Sequence, residues 1–424
     1  MAATGEARGF ARSAILLFLA LRAGDLVSVA AGMWFVPRYV PQDEIGAVLP
    51  VTSFATFLSL PVFALAMAVM KESAVLASRG ERGKVKSLLS GVFAAAAAAL
   101  AVALVASALA VPRYLSLMRV PDSSVGFLVV AAAFLGCVAP VYTDALQSLR
   151  RFRSLAAVEV AGSLFRFAVM LAVMPVRALA GYFAGQASLP AFRIAGSLFA
   201  LRHDLAARAE PYWNRESVRR LGVAFIAIAV YMGVPMAADL VEQTVLRTSL
   251  SSIDSAGYYM ASRFSGFLMY LTFPLMLVMF PYTAAAAERK SSTSPYVTRC
   301  AAATLVAAAA MSIVYFAFGE RLMELMPNGA EYAGYAAFMP LLTLATAFTS
   351  CQVFYTNAEV SAGRFGFLLW LVPLHIAYPA ALAAAASFGL VRDLKTLVVW
   401  ISAASALRFA ASAVAMWRKA LRAP

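Results

Sequence analysis

The chain has 424 residues, of which 62% are hydrophobic and only 13% are charged, and its mean hydropathy is +0.80. A soluble globular protein carries about 25% charged residues, so this composition excludes a water-soluble globule. The formal net charge of +14 comes from cations scattered over short segments between apolar stretches. That distribution argues against a basic face that binds nucleic acid.

Apolar stretches of about 20 residues, the length that crosses a hydrocarbon core, recur along the whole chain. Backbone groups inside lipid must find hydrogen-bond partners within their own segment, so we predict that each stretch is an α-helix. Arg22 and Asp25 interrupt the first stretch midway, which argues against a cleaved secretory signal. In chain order, the twelve predicted spans are residues 13–36, 46–70, 86–111, 123–147, 154–175, 178–201, 220–247, 257–284, 298–318, 333–357, 365–387 and 394–417.

The lysines and arginines predict how these spans are oriented. With the N-terminus inside, 22 of the 35 lysines and arginines fall in cytoplasmic segments and eight fall on the opposite side. The eight are Arg38, Arg113, Arg119, Arg177, Arg247, Arg321, Arg392 and Lys395. Cytoplasmic loops of membrane proteins carry such an excess of positive charge. We therefore predict that both termini are cytoplasmic.

The sequence predicts no metal site, no cofactor and no ATPase activity. Cys137, Cys300 and Cys351 have neither disulfide-like nor zinc-like spacing. No glycine-rich phosphate loop occurs, so the sequence predicts no nucleotide hydrolysis by this chain.

The longest polar connection lies at the middle of the sequence and predicts a division into two halves. Residues 1–201 form a predicted N-terminal six-helix lobe, residues 202–219 a cytoplasmic connection, and residues 220–424 a C-terminal six-helix lobe. The sequence therefore predicts an all-α integral membrane protein.

Two short stretches recur between the halves. Asp43–Gly46 resembles Asp254–Gly257 at an offset of 211 residues, and Asp144–Phe152 resembles Asn357–Phe365 at an offset of 213. Similar offsets at equivalent positions favour duplication, and an even number of spans makes the two copies parallel. The sequence therefore predicts two lobes related as parallel repeats around a central cavity.

Several motifs, in order along nearly the whole chain, resemble the polysaccharide-unit flippases of the multidrug/oligosaccharidyl-lipid/polysaccharide exporter (MOP) superfamily. They are Arg38–Gly46, Arg151–Leu155, Ile253–Tyr259, Pro281 and Gly329–Tyr332. The resemblance implies that the chain moves undecaprenyl-pyrophosphate-linked oligosaccharides across a bacterial cytoplasmic (inner) membrane by alternating access. Twelve spans fit this branch better than the peptidoglycan-precursor branch, which usually has fourteen.

Arginines inside the predicted spans are the candidate substrate-binding residues. A central arginine costs roughly 2.5–3.5 kcal/mol to insert, so it normally faces protein or water. Arginine grips a pyrophosphate in bidentate fashion, whereas the alternative is internal pairing, such as Arg22 with Asp25 or Arg166 with Glu159. The resemblance favours arginines on the first and eighth spans. The candidates are Arg22, Arg263, Arg166 and Arg408, whereas Arg193 is predicted to snorkel toward the cytoplasmic surface.

Acidic residues in the spans are candidates for coupling transport to an ion. Asp239 and Glu242 lie three residues apart, one turn beyond Pro235, which can kink the seventh span. The resemblance implies that such residues, together with Asp25, bind a proton or sodium ion. The alternative for Glu242 is that it marks the end of the helix. His375 is interpreted as a packed histidine, with a proton relay as the alternative.

Two alternative functions remain open. A cation-coupled exporter of organic cations would have acidic and aromatic walls around its substrate. An integral glycosyltransferase would need an acidic cluster on a substantial external loop, and the longest outward loops, 112–122 and 319–332, are short. We therefore expect a transporter, not an enzyme, whose partners are a lipid-linked oligosaccharide, membrane lipid, a coupling ion, and a polysaccharide polymerase with its assembly proteins.

Overall fold

The computed structural model describes residues 24, 26–27, 29–78, 80–149, 151–205, 210–288, 291–362 and 364–422. All regular elements in these ranges are helical. A π-helical turn (Ala31–Phe35) precedes α1, and a 3-10 helix (Gly329–Phe338) precedes α11. The α-helices are α1 (Val36–Tyr39), α2 (Gln42–Ile45), α3 (Val48–Ser78), α4 (Arg82–Leu117), α5 (Ser124–Ser148), α6 (Phe152–Leu205), α7 (Arg215–Ser249), α8 (Ser252–Ser265), α9 (Phe267–Glu288), α10 (Ser294–Glu324), α11 (Met339–Ser361), α12 (Leu368–Ser387) and α13 (Leu394–Arg422).

Eight helical segments in the described ranges are long and apolar enough to cross a membrane. They are Gln42–Pro61, Ser124–Thr143, Phe152–His203, Arg215–Ser249, Ser294–Glu324, Gly329–Ser361, Leu368–Ser387 and Leu394–Arg418. Helices α4 and α9 occupy two further predicted spans, and the first predicted span lies largely outside the described residues. The prediction of an all-helical, multi-pass membrane protein is confirmed.

Helix α6 contains two of the predicted spans. Its backbone is non-helical at Ala178, with φ 39° and ψ −113°. The two halves run antiparallel, because Arg151 donates to the carbonyl of Ala200, 49 residues further along, at 2.7 Å. At the bend, a Cβ on Gly181 would lie 2.5 Å from the backbone nitrogen of Met174, so only glycine permits this approach. The predicted boundary between spans 154–175 and 178–201 falls at this bend.

Two other spans differ locally from a single α-helix. The predicted span 257–284 is divided at Gly266 into α8 and α9, and the predicted span 333–357 begins as the 3-10 helix. Glycine has low helix propensity, and Gly329 and Gly334 both lie in the 3-10 segment. Periodicity and hydropathy do not distinguish these helix types, which explains why the sequence predicts uninterrupted spans.

The chain forms two compact units. The first consists of Met1–Pro41 and Val48–Leu240, and the second consists of Gln42–Ala47 and Val241–Pro424. Helix α7 therefore contributes residues to both units, and α2 belongs to the second unit although the chain on either side belongs to the first. The division into lobes at residues 202–219 stays a prediction.

The core of the first unit includes one large cluster at the ends of its helices. Its buried members come from α3, α4, α5, α6, the segment before α7, and α7 itself: Val69, Leu76, Val85, Leu88, Leu89, Val92, Val138, Val141, Tyr142, Ala145, Leu146, Leu155, Leu201, Tyr212 and Leu221. Inside the membrane such side chains stabilise the unit through van der Waals packing, because lipid tails are as apolar as the side chains themselves.

The last part of the central connection, residues 210–214, is held against α4 by hydrogen bonds. The indole Nε1 of Trp213 donates to the carbonyl of Ser87 at 3.0 Å, and the amide of Glu210 donates to the carbonyl of Gly83 at 3.2 Å. The indole lies against Gly91, where a Cβ would come within 2.3 Å of Nε1. Residues 210–213 are thus packed on the first unit.

Candidate functional site

A cluster of ionisable side chains lies between α7, α12 and α13 of the second unit. The Tyr378 hydroxyl donates to Oε2 of Glu242 at 2.8 Å. The guanidinium of Arg408 lies over the Tyr378 ring, 5.5 Å from its centroid, a distance typical of cation–π interactions. We call Glu242, Tyr378, Arg408 and the neighbouring His375 the α13 cluster. The structure therefore brings together Glu242 and Arg408, which the sequence assigns to different roles.

The guanidinium of Arg408 has hydrogen-bonding capacity to spare. Its Nη2 donates to the Ser405 hydroxyl at 3.2 Å. Its Nε is buried and has no hydrogen-bond partner among the described residues. A buried donor without an acceptor costs about 1–3 kcal/mol. The position of Arg408 thus favours an additional ligand that accepts hydrogen bonds.

His375 is buried beside this arginine. It is 4% exposed, and its Nδ1 lies 3.0 Å from the carbonyl oxygen of Leu371. Because a carbonyl can only accept a hydrogen bond, this contact places a proton on Nδ1. Arg408 is close enough to act electrostatically on the ring. The packed-histidine interpretation agrees with this geometry.

Arg263 lies on α8 of the second unit, three residues before the break at Gly266. Its guanidinium lies over the ring of Tyr259, 4.8 Å from the centroid. The side chain is half-buried. The aromatic face holds the guanidinium in place by electrostatic attraction to the ring quadrupole.

In the first unit, Glu159 pairs with an unexpected arginine. Arg193, from the other half of α6, donates to Oε2 of Glu159 and forms an ion pair with it. The prediction that Arg193 snorkels to the surface is therefore wrong, because the hairpin places it opposite Glu159. Arg166 is only 6% exposed. Arg22 and Asp25 lie outside the described residues.

The two candidate coupling carboxylates have different surroundings. Asp239 belongs to the first unit and accepts a hydrogen bond from the Ser53 hydroxyl of α3. Glu242, three residues later, belongs to the second unit and is bonded to Tyr378. Helix α7 continues from Arg215 to Ser249 through Pro235, so the helix is not interrupted beside the carboxylates.

Arg247 was counted in the sequence as an external cation, yet it is fully buried in the second unit. It is 0% exposed, and its Nη2 donates to the backbone carbonyl of Asp43 in α2. A Cβ on Gly46 would lie 3.0 Å from Nη1 of Arg247 and 2.4 Å from Cβ of Ser255. Arg247 thus fixes α2 against α7, beside the close approach of Gly46 to Ser255 of α8, and a charge count could not reveal this role.

Three of the five motifs that carry the family resemblance, Arg38–Gly46, Ile253–Tyr259 and Gly329–Tyr332, meet at this same place. Tyr335, from the 3-10 helix, donates to Oδ1 of Asp254 at 2.8 Å, and Ser251 caps α8 by accepting from the Asp254 amide. Gln42 of α2 hydrogen-bonds Tyr332, which is buried. These motif residues therefore stabilise packing within the second unit.

Within the described residues, no group of three or more His, Cys, Asp or Glu side chains could hold a metal ion. The ionisable side chains of the α13 cluster include one guanidinium, one carboxylate, one phenol and one imidazole. This set suits an anionic or proton ligand better than a divalent metal, which prefers several oxygen ligands.

No protein-family model matches the sequence, and no curated protein matches it. Among solved structures, the chain is similar to the lipid II flippase MurJ in an inward closed conformation, with a TM-score of 0.68, 10% identity, and coverage of 95% of this chain and 87% of that chain. It is similar to an inward-facing multidrug resistance MATE family transporter of the MOP superfamily, with a TM-score of 0.65, 14% identity and coverage of 94% of both chains.

A third similar structure is a MOP superfamily transporter from Pyrococcus furiosus, for which a reverse polarity of the binding pocket suggests a different function. Its TM-score is 0.59, with 12% identity and coverage of 96% of this chain and 94% of that chain. The chain has the fold of these MOP superfamily transporters.

Proposed function

We propose that this protein is a flippase that moves undecaprenyl-pyrophosphate-linked oligosaccharide repeat units across the bacterial cytoplasmic membrane. The substrate combines an isoprenoid tail, a diphosphate and a polar oligosaccharide. Of these three parts, the diphosphate is the one that arginines bind selectively. The proposal therefore depends on arginines inside the membrane-spanning part of the chain.

The observation that carries the proposal is the hydrogen-bond donor of Arg408 that is unsatisfied within the described part of the chain. Its carboxylate neighbour, Glu242, already accepts a hydrogen bond from Tyr378, and its own Nε lacks an acceptor among the described residues. A phosphate oxygen would satisfy that donor and would be held by both charge and hydrogen bonding. Arg263, held on the Tyr259 ring, is a second candidate for the same diphosphate.

The strength of this interaction suits transport. Each charge-assisted hydrogen bond contributes about 1.5–3 kcal/mol, so two or three of them hold a diphosphate without preventing its release. Glu242 near Arg408 lowers the local positive charge and so keeps the affinity moderate. We further propose that Glu242 takes up a proton when the substrate engages Arg408, which would couple movement to the proton gradient.

The proposal includes the membrane in which the protein lies and the proteins that receive its substrate. The protein is placed in the bacterial inner membrane with both termini in the cytoplasm, in keeping with the distribution of lysines and arginines. A polysaccharide polymerase and its assembly proteins would receive the flipped repeat units. The chain is proposed to be a transporter with no catalytic residues.

The test is transport by the full-length chain in proteoliposomes. We expect a pyrophosphate-linked isoprenoid oligosaccharide to become accessible to an external glycosidase faster than in protein-free vesicles. An organic cation such as ethidium serves as the competing substrate. Ethidium export without movement of the oligosaccharide would contradict the proposal.

The second candidate function is cation-coupled export of organic cations, and Asp239 is the observation that favours it. This carboxylate lies in a candidate membrane span, is exposed, and is bonded to Ser53 in the first unit. An exposed carboxylate can bind a sodium ion, a proton or an organic cation.

If Asp239 carries the coupling ion, Asp239→Asn should remove the dependence of transport on the proton or sodium gradient while substrate binding persists. Glu216→Gln, which changes an exposed carboxylate at the start of the same helix, is the matched control. Transport rates are measured with and without each gradient. Unchanged gradient dependence in Asp239→Asn would assign this residue a structural role.

A further inference from the structure

An apolar groove lies between the end of α4 and the start of α5 in the first unit. Its volume is about 450 Å³ and it is partly open to the surroundings. Val111, Leu115 and Phe127 contribute apolar walls, and Ser116 and Ser123 contribute hydroxyl groups. Phe127 is 78% exposed, so the groove has an apolar rim as well as an apolar floor. The volume is in the lower part of the range for small-ligand sites, about 300–1,000 Å³.

The turn beside the groove has an unusual residue at its left-handed position. Helix α4 ends with the amide of Val120 donating to the carbonyl of Leu115 and the amide of Arg119 donating to that of Ser116. This is the Schellman pattern, in which glycine normally occupies the left-handed position. Here that position is Arg119, with φ 57°. Arginine is less favourable than glycine in this conformation, and the Arg119 side chain is exposed.

Two further cations lie close to this turn. Arg113 is exposed one helical turn before Leu117, and Arg177, exposed at the bend of α6, acts electrostatically on Asp122. Hydrogen bonds from the hydroxyl and the backbone amide of Ser124, and then the charge of Arg177, hold the pKa of Asp122 below its usual value. Arg113 and Arg119 adjoin the lining residues Pro112 and Val120 in the chain, and Asp122 adjoins Pro121 and Ser123. Three arginines and one carboxylate therefore lie near this end of the groove, and their net charge is positive.

The predicted topology makes these cations more notable. Only eight lysines and arginines fall on the predicted outer side of the membrane, and Arg113, Arg119 and Arg177 are three of them. Arginines are depleted on that side, so a local group of three requires a specific reason.

We propose that the groove between α4 and α5 binds an anionic phospholipid, with one acyl chain along the apolar walls and the phosphate headgroup at Arg113, Arg119 and Arg177. Charge complementarity favours this ligand over a zwitterionic lipid, because the net charge at the headgroup end is positive. The Ser123 hydroxyl lines the groove and can donate to an ester or phosphate oxygen, whereas the Ser116 hydroxyl already donates to the carbonyl of Arg113 at 2.8 Å. This site is independent of the α13 cluster and of the proposed substrate.

Native mass spectrometry of the full-length chain tests the proposal with phosphatidylglycerol and phosphatidylcholine that carry identical acyl chains. We expect a clear preference for phosphatidylglycerol, and Arg119→Gly should weaken its binding about fivefold, the contribution of one arginine near a membrane surface. The same variant should not lower the thermal stability of the lipid-free protein, since glycine suits the left-handed turn.

Two variants complete the design. Ser116→Phe should fill the groove and weaken binding of both lipids, whereas Arg321→Gln, an exposed cation of the second unit, should change neither. Equal binding of the two lipids, or unchanged phosphatidylglycerol binding in Arg119→Gly, would overturn the proposal. Binding of an isoprenyl diphosphate that Ser116→Phe abolishes, without phosphatidylglycerol binding, would identify the substrate tail as the occupant and would also overturn it.

Discussion

Arg263→Ala is expected to reduce transport of the lipid-linked oligosaccharide by about tenfold to a hundredfold, because it removes one or more charge-assisted hydrogen bonds to the diphosphate. Insertion and folding should persist, since the side chain is half-buried and is not enclosed in the core. Arg22→Ala is also expected to reduce transport, because the family resemblance favours an arginine on the first span.

Replacing Arg263 with lysine tests whether transport needs only a positive charge or also the geometry of the guanidinium. Arg263→Lys should retain part of the transport, because the ammonium keeps the charge but cannot form the bidentate contact. Surface polysaccharide, or repeat units retained on the inner leaflet, is measured at matched expression. Arg299→Ala, at an exposed arginine in the same unit, is the control. Normal surface polymer from Arg263→Ala would show that this arginine only braces helices.

Arg408→Ala is expected to destabilise the second unit as well as impair transport. The charge of Glu242 acts on Arg408, and Tyr378 contacts both residues. Removing one partner of a buried pair costs about 3–5 kcal/mol, and we expect the lower end here because both side chains are half-buried. Glu242→Gln in the Arg408→Ala background should recover most of the lost stability.

A double-mutant cycle separates this pairing from substrate binding. Thermal unfolding in detergent reports the coupling between Glu242 and Arg408, and oligosaccharide transport reports function. We expect the double variant to be stable but inactive, because the donor for the phosphate is absent. Additive effects of the two substitutions on stability would contradict the pairing, and full transport by the stable double variant would contradict the substrate role of Arg408.

The membrane spans could be predicted because hydropathy and length alone determine them. Even the bend at Ala178 falls where the sequence predicts one span to end and the next to begin. The partner of Glu159 could not be predicted in the same way. Helical spacing favoured Arg166, on the same half of α6, whereas the ion pair forms with Arg193, 34 residues away across the hairpin. Contacts across a bend depend on register, which hydropathy does not fix.

At the candidate site, too, the sequence does not reveal which distant residues are neighbours. The sequence indicates that Glu242 and Arg408 are costly residues in a membrane, but it does not indicate that they are neighbours. Tyr378, which joins them, was not a candidate because tyrosine in an apolar helix is an ordinary core residue. Conversely, Arg247 was interpreted as a loop cation because it ends a predicted span, yet it is completely buried.

The position of α2 has a consequence for the order in which the protein is synthesised. Asp43 and Arg247, which bond to each other, are 204 positions apart in the chain. At about 5–20 residues per second, α2 leaves the ribosome roughly 10–40 s before Arg247 exists to receive it. The second unit therefore cannot complete its own packing from nascent chain made late in translation. It depends on a segment made at the start, and a fragment that begins after the central connection would lack that segment.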